Sequence, residues 1–314
     1  MRLFFSLNNQ IFNRISRGLY TFRSLFFGGK NFFQTARLYG SFRRFSRAWS
    51  RSHDFQLKID EVLKSPDNQR IPRHPKAGSI DHDILTMHNG IRIYAESYEG
   101  QGMAKLLQAN RGVHEPQEEY CFAVVLDWIK ASPNPEPAMI ELGSNWAFYS
   151  LWFLSRFPDA KCLLVEPNQT NLEAGRRNFQ LNHRQGEFIS SWVGTSPRGS
   201  SVPSISFGRL LSMLPGRSCS ILHADIQGHE LELLEEARPF LSLGKIDFLF
   251  ISSHSNYLHY RCLDLLRDCG LQILAEASLL ETFSTDGVIV AGLKTACRQD
   301  SIPITKRSAT KLSF

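Results

Sequence analysis

The chain has 314 residues, 42% of them apolar and 21% charged, with a net charge of +6. That balance is ordinary for a globular protein, and the length allows one sizeable α/β core with appendages. No run approaches the roughly 18 apolar residues of a membrane-spanning helix, so no segment is expected to cross a bilayer as a helix.

The charge is unevenly spread. Residues 1–53 carry ten Lys/Arg, ten Phe and no acid, whereas residues 54–293 carry 21 basic and 29 acidic residues, a net charge of −8. An acid-free, aromatic, basic segment suits an anionic surface, so peripheral membrane contact is an expectation for 1–53. The segment also imitates a mitochondrial transit peptide. No recognised nucleic-acid-binding fold accompanies it, so nucleic acid is not an expected partner. The six cysteines stand apart, with no C-x-x-C pair. Such usage fits a reducing compartment, and a cytoplasmic location is expected.

In chain order, "ILTMHNGIRIYAES" (84–97) reads as a hairpin turning at Asn89-Gly90. "GVHEPQEEYCFAVVLDWIK" then gives an amphipathic helix, with Pro116 in its first turn and Glu118 and Glu119 as solvated charges at its positive end. Beyond "SPNPEP" the pattern alternates: strand 139–142, helix 146–156, strand 161–165, helix 169–182, strand 187–193, a short helix in "SFGRLLSML", strand 220–224, helix 229–241, strand 246–251, helix 258–269, and strands 271–275 and 287–293. Apolar strands separated by amphipathic helices predict a doubly wound, mostly parallel sheet covered on both faces. Such a sheet binds its ligand outside the carboxyl ends of its strands, just after residues 142, 165, 193, 224 and 251.

The first such end reads Glu141-Leu142-Gly143-Ser144-Asn145-Trp146. Gly143 permits a sharp turn and a close approach of ligand to backbone. The second carries Glu166, a carboxylate placed to accept the hydroxyls of an adenosine ribose. A dinucleotide site would want G-x-G-x-x-G; here one glycine stands beside an acid, which repels pyrophosphate and attracts a sulfonium. S-adenosylmethionine is therefore favoured over NAD as cofactor.

"HEPQEE", "IELGSNWAFYSLWF", "VEPN", "HADIQGHELELL" and "DFLFISSHS", in this order, resemble the FkbM family of S-adenosylmethionine-dependent methyltransferases over about residues 84–293. The resemblance implies a class I methyltransferase (Rossmann-like) fold, α/β, with a seven-stranded sheet whose last strand is antiparallel. It implies that Glu141, Gly143 and Asn145 belong to the cofactor loop and that Glu166 takes the ribose. The family pattern G-x-N-x-G ends here in Ala147. The implied reaction is methyl transfer, O-methylation of a small metabolite or saccharide.

At the fourth and fifth strand ends Asp225 is the candidate for orienting the acceptor and touching the cofactor, and His229 and His254 are the candidate bases, since imidazole titrates near neutrality. Trp192 is a candidate for stacking on the adenine. No metal site is assigned; Asp225, Glu230 and His254 form the one alternative ligand set. His114 and Glu115 are placed to close over the cofactor from a cap. The expected organisation is a basic extension (1–53), a cap with hairpin and helix (54–137), the catalytic domain (138–293) and a basic tail (294–314). The rival reading is a non-catalytic methyltransferase fold that binds a membrane or partner through its basic N-terminus.

Overall fold

The computed structural model describes residues 53–132 and 136–308. Residues 1–52 and 309–314 lie outside the described residues, and with them the expected membrane-contacting segment and the end of the tail. The chain divides into two units, Met1–Leu57 and Lys58–Phe314, and the following concerns the second.

Seven strands form the main sheet: β4 (Ala138–Leu142), β5 (Lys161–Val165), β6 (Glu187–Ile189), β9 (Cys219–Ala224), β10 (Ile246–Ser253), β11 (Gln272–Ala277) and β12 (Gly287–Gly292). Their order is β11-β12-β10-β9-β4-β5-β6. β12 runs antiparallel to both its neighbours, and the ladders from β10 to β6 are parallel. This is the doubly wound, mostly parallel, Rossmann-like sheet that the sequence predicts. Every residue of β4, β9 and β12 is buried, as expected of strands covered on both faces. The helices between them are α4 (Phe148–Arg156), α5 (Gln169–Leu181), α6 (Phe207–Ser212), α7 (Glu230–Ser242) and α8 (Asn256–Asp268). From β4 the chain winds to β5 and β6 on one side, then crosses to β9 and β10 on the other, so the switch point lies between β4 and β9.

The predicted strand 187–193 is broken. β6 joins the main sheet, whereas β7 (Trp192–Val193) pairs with β8 (Ser204–Ile205) in a separate ribbon. The break falls at Ser190-Ser191, where the Ser191 hydroxyl bonds the carbonyl of Pro203 at 3.0 Å and holds the chain to the ribbon.

Ahead of the sheet, β1 (Ile80–Asp81), β2 (Ile84–Thr86) and β3 (Arg92–Tyr94) form a small antiparallel sheet. The predicted hairpin is β2–β3, but Thr86 pairs with Arg92, so Asn89-Gly90 sits inside a longer connection than a two-residue turn. Gly90 there has φ +88°. Two helices that the sequence pattern does not predict, α1 (His53–Leu63) and α2 (Gln101–Ala109), precede the predicted α3 (Pro116–Lys130). β3 leans on α5: the amide of Tyr94 donates to Asn178 Oδ1 at 3.0 Å, and that of Arg92 to Asn182 Oδ1 at 3.0 Å.

Part of the basic tail is docked. Residues 301–308 form an extended strap: Ile302, 2% exposed, donates its N–H to Leu274 O, Thr305 donates to the buried Asp67 carboxylate at 2.8 Å, and Gln117 donates to Thr305 O at 2.8 Å. Lys306 pairs with Glu276 and Glu281.

Candidate functional site

At the switch point the chain leaves β4 through Gly143, whose φ is +71°. A Cβ there would lie 1.9 Å from the carbonyl oxygen of Asp225, so glycine lets the ends of β4 and β9 close together. The amides of Gly143 and Ser144 both donate to Val165 O, at 2.8 and 3.1 Å, which folds the loop across the end of β5. Ala147, just before α4, is left-handed at φ +63°. A glycine adopts that conformation at no steric cost, and alanine is the smallest side chain that can replace it.

Glu166 meets this loop. Its two carboxylate oxygens accept the amides of Asn168 at 2.8 Å and Asn145 at 3.3 Å. Burial raises its pKa, opposed by those two bonds. Asn168 caps α5 by accepting from the amides of Thr170 and Asn171. Glu141, by contrast, does not open to the loop. Its carboxylate is buried and accepts the amide of Ser150 at 3.0 Å, so it anchors the N-terminal turn of α4 from below.

Across the switch point, Asp225 lies 3.1 Å from His254 Nε2 and accepts from the Gln227 amide at 3.1 Å. His254 Nδ1 donates to Glu230 Oε1 at 2.8 Å, and Asp286 Oδ1 stands 3.6 Å from Nε2. Burial opposes the charge on His254, but Asp286, Asp225 and Glu230 more than offset it and hold its pKa well above the ordinary value. His254 thus has both nitrogens engaged, Nδ1 by Glu230 and Nε2 by the Gln227 amide at 2.8 Å and by Asp225. The same ring lowers the pKa of Asp225 against the effect of burial. Burial lifts Asp286 to about 6, with His254 opposing and Asp225 and Glu115 adding.

His229 is not brought into this cluster. It is exposed at the start of α7, with Nδ1 2.9 Å from Glu232, and its ring faces Trp192 at 6.3 Å. Trp192 donates its indole N–H to Ser200 at 3.0 Å, so it braces the β7–β8 ribbon. His254 bonds Asp225 and Glu230 directly rather than sharing an open point with them, and among the described residues no group of His, Cys, Asp and Glu is arranged to hold a metal ion.

The cap side holds residues the sequence reading misjudged. Glu118 and Glu119 are buried, not solvated. Glu119 Oε1 accepts the backbone amides of His114 and Glu115 at 2.8 and 3.0 Å, and its carboxylate lies 2.7 Å from His114 Nδ1 and 3.0 Å from His88 Nε2. Glu118 meets His223 of β9 at 2.7 Å and Ser252 of β10 at 3.2 Å. Burial disfavours the charge on His114, yet Glu115 and Glu119 raise its pKa to about 10. Glu115, expected with His114 over the site, accepts from Tyr149 at 3.1 Å. Tyr98 stacks on Trp146 at 4.5 Å; burial first, then the carboxylates of Glu99, Glu115, Asp225 and Asp286, push its phenol well above the ordinary value. Carboxylates of the cap (Glu99, Glu115) and of the sheet edge (Asp225, Asp286) therefore act together on Tyr98. A helical pattern was the available signal: Glu118 shares the apolar stripe of Cys121, Phe122 and Val125.

Ser253, His259 and Glu276 are joined in series at 2.9 and 3.1 Å. Ser253 is 0% exposed, so this row is internal bracing and not a nucleophile with its base.

No family model matches the chain, and no curated protein matches it. Among solved structures it is similar to WbdD, at 13% identity over 55% of this chain, with a TM-score of 0.38. It is also similar to a precorrin-6y C5,15-methyltransferase from Geobacter metallireducens, at 14% identity over 55% of this chain and 88% of that one, with a TM-score of 0.37. A ribosomal protein L11 methylase from Lactobacillus delbrueckii aligns at 11% identity over 59% of this chain and 81% of that one, with a TM-score of 0.37. The chain spans 39% of the length of WbdD.

Proposed function

We propose that the chain is an S-adenosylmethionine-dependent methyltransferase, resembling the FkbM family, that methylates a hydroxyl of a small metabolite or saccharide. One observation carries the reading: at the switch point the Gly143 turn is tied through the Asn145 amide to the carboxylate of Glu166. The two strand ends that a nucleoside would bridge are thereby held in one frame.

The residues fit the cofactor. A carboxylate offers about four lone-pair sites, so the bonds from Asn145 and Asn168 leave Glu166 acceptor capacity for ribose hydroxyls. Ser144 Oγ is buried beside Gly143 and has no partner among the described residues, an orphan that a polar ligand group satisfies. Glu141 is withdrawn from contact by its bond to Ser150 and sets the direction of α4. Bound S-adenosylmethionine would supply an electrophilic methyl group on a sulfonium. Asp225, kept ionised by His254, aims an acceptor at that methyl group, and the carboxylates that act on Tyr98 favour the cation. Tyr98 and Glu115 bound the site from the cap.

The non-catalytic rival drew on Ala147 and on residues 1–53. Ala147 keeps the left-handed turn that a glycine would make, which favours a retained loop. Peripheral membrane contact by 1–53 stays compatible with either reading; among the described residues no helix is long and apolar enough to cross a membrane.

Calorimetric titration with S-adenosylhomocysteine tests the reading. Binding in the micromolar range is expected, with a loss of about tenfold or more in Glu166→Ala, the cost of a charge-assisted hydrogen-bond pair. A folded protein that takes up no S-adenosylhomocysteine would overturn it.

A further inference from the structure

Four ionisable side chains at the parallel-strand ends are unsuited to remove a proton from a hydroxyl. His254 has neither nitrogen free, with Nδ1 on Glu230 at 2.8 Å and Nε2 between the Gln227 amide at 2.8 Å and Asp225 at 3.1 Å. Asp225 is held by that ring and by Gln227. Glu230 is fully buried, its Oε1 shared between the Gly228 amide and His254. His229 is turned out toward Glu232.

Asp286 differs from all four. It belongs to the loop that leads into β12, the one strand that runs against its neighbours. Because Gly287 pairs with Ser253, the beginning of β12 lies beside the end of β10, and Asp286 is delivered next to His254. Its Oδ1 is 3.6 Å from His254 Nε2, farther than a bonded pair, while Oδ2 accepts the Thr285 hydroxyl at 3.1 Å. The side chain is 23% exposed, and the loop is braced from both sides. Gln117 Oε1 accepts from Thr282 Oγ1 and the Phe283 amide at 3.0 and 2.9 Å, and Asn256 Oδ1 accepts from the Leu279 amide at 3.1 Å.

On the methyl-transfer reading above, we infer that Asp286 is the general base of the reaction, receiving the hydroxyl proton of the acceptor, while Asp225 and His254 hold the acceptor in line. The proton passes to a carboxylate oxygen of Asp286 as the hydroxyl oxygen forms its bond to the methyl carbon. The electron pair of the breaking carbon–sulfur bond stays on sulfur, which becomes a neutral thioether. Asp286 then releases the proton through its exposed edge. Burial and the neighbouring carboxylates Asp225 and Glu115, against His254, bring Asp286 to about 6, in the range where a base is ionised at neutrality yet retains proton affinity.

The test uses NMR of the full chain carrying isotope-labelled aspartate carboxyls, with the Asp286 signal assigned by its absence from Asp286→Asn. An aspartate carboxyl titrating near 6, in the free protein and with S-adenosylhomocysteine, is expected. A midpoint at or below the ordinary aspartate value would overturn the assignment. Calorimetry with S-adenosylhomocysteine runs beside it and should give affinities within about threefold for the two proteins, since Asp286 does not hold the nucleoside. If the intact protein takes up no S-adenosylhomocysteine while Asp286 titrates near 6, it is the methyl-transfer reading that fails. For methyl transfer to hydroxyl probes such as methyl glycosides and catechol, Asp286→Asn should lower the turnover rate by about a hundredfold or more and remove the acid limb of its pH profile. Turnover unchanged by the substitution would overturn the inference as well.

Discussion

Glu118 and His223 stand 105 positions apart in the chain, yet their side chains meet at 2.7 Å with both residues buried. The contact joins the cap helix α3 to the central strand β9, two positions before Asp225. His223→Ala would leave a buried carboxylate without its partner, an effect of about 3–5 kcal/mol. Glu118→Gln keeps a polar partner and should lose about 1 kcal/mol. Urea denaturation of both variants checks the difference; a His223→Ala loss under 1 kcal/mol would show that the pair does not bind cap to sheet.

The His114–Glu119 pair gives a pH signature at the alkaline side. The folded pKa of His114, about 10, lies above its ordinary value of 6.5. Its contribution to stability is therefore complete below about 6.5 and is lost as pH rises through about 10. Thermal unfolding followed from pH 7 to 10.5 should show a falling Tm, with the fall flattened in His114→Asn. Equal slopes would exclude this pair as the cause.

Gly143→Ala places a methyl group 1.9 Å from Asp225 O and forces apart the ends of β4 and β9. Gly270→Ala, at φ +80° with nothing within 4 Å, is the control for backbone strain alone. The control should lose about 1 kcal/mol. Gly143→Ala should lose about 3 kcal/mol, as overpacking adds to strain, and should weaken S-adenosylhomocysteine binding by about tenfold or more. Matching losses in the two variants would mean that the strand ends yield freely.

The strap predicts an acid-side effect. Glu276, hydrogen-bonded by His259 and, against some burial, paired with Lys306, has its pKa lowered from 4.5 to about 2. This contribution is present above about 4.5 and fades as pH falls toward 2. Thr305→Pro removes the N–H that reaches the buried Asp67 carboxylate and should cost about 1–3 kcal/mol at neutral pH. Hydrogen exchange of the Ile302 and Arg307 amides reports the strap directly, and unchanged protection in Thr305→Pro would count against a docked segment.

Much of the main sheet was legible because long apolar runs bounded by Gly and Pro leave few alternatives: strand 161–165 is found with those limits, and the others, 187–193 apart, within one or two residues. The break at Ser190-Ser191 was hidden because a strand that changes sheets keeps its apolar pattern. Glu118 and Glu119 were misread because acids at a helix start are usually solvated, and only the partners His223, His88 and His114, supplied by tertiary structure, permit their burial. Asp286 escaped for a topological reason. A search of the carboxyl ends of parallel strands passes over the beginning of the antiparallel β12, which reaches the same edge from the other direction.

The bond between Asp67 and Thr305 joins residues 238 positions apart. At about 5–20 residues per second, a ribosome that has made Asp67 takes roughly 12–48 s to reach Thr305. For that interval the Asp67 carboxylate has Arg70 but not Thr305, and the loop of Asp286 has no strap behind it. The site is therefore among the last parts of a nascent chain to become rigid, and acceptor binding has to follow synthesis of the strap rather than accompany the folding of the strands.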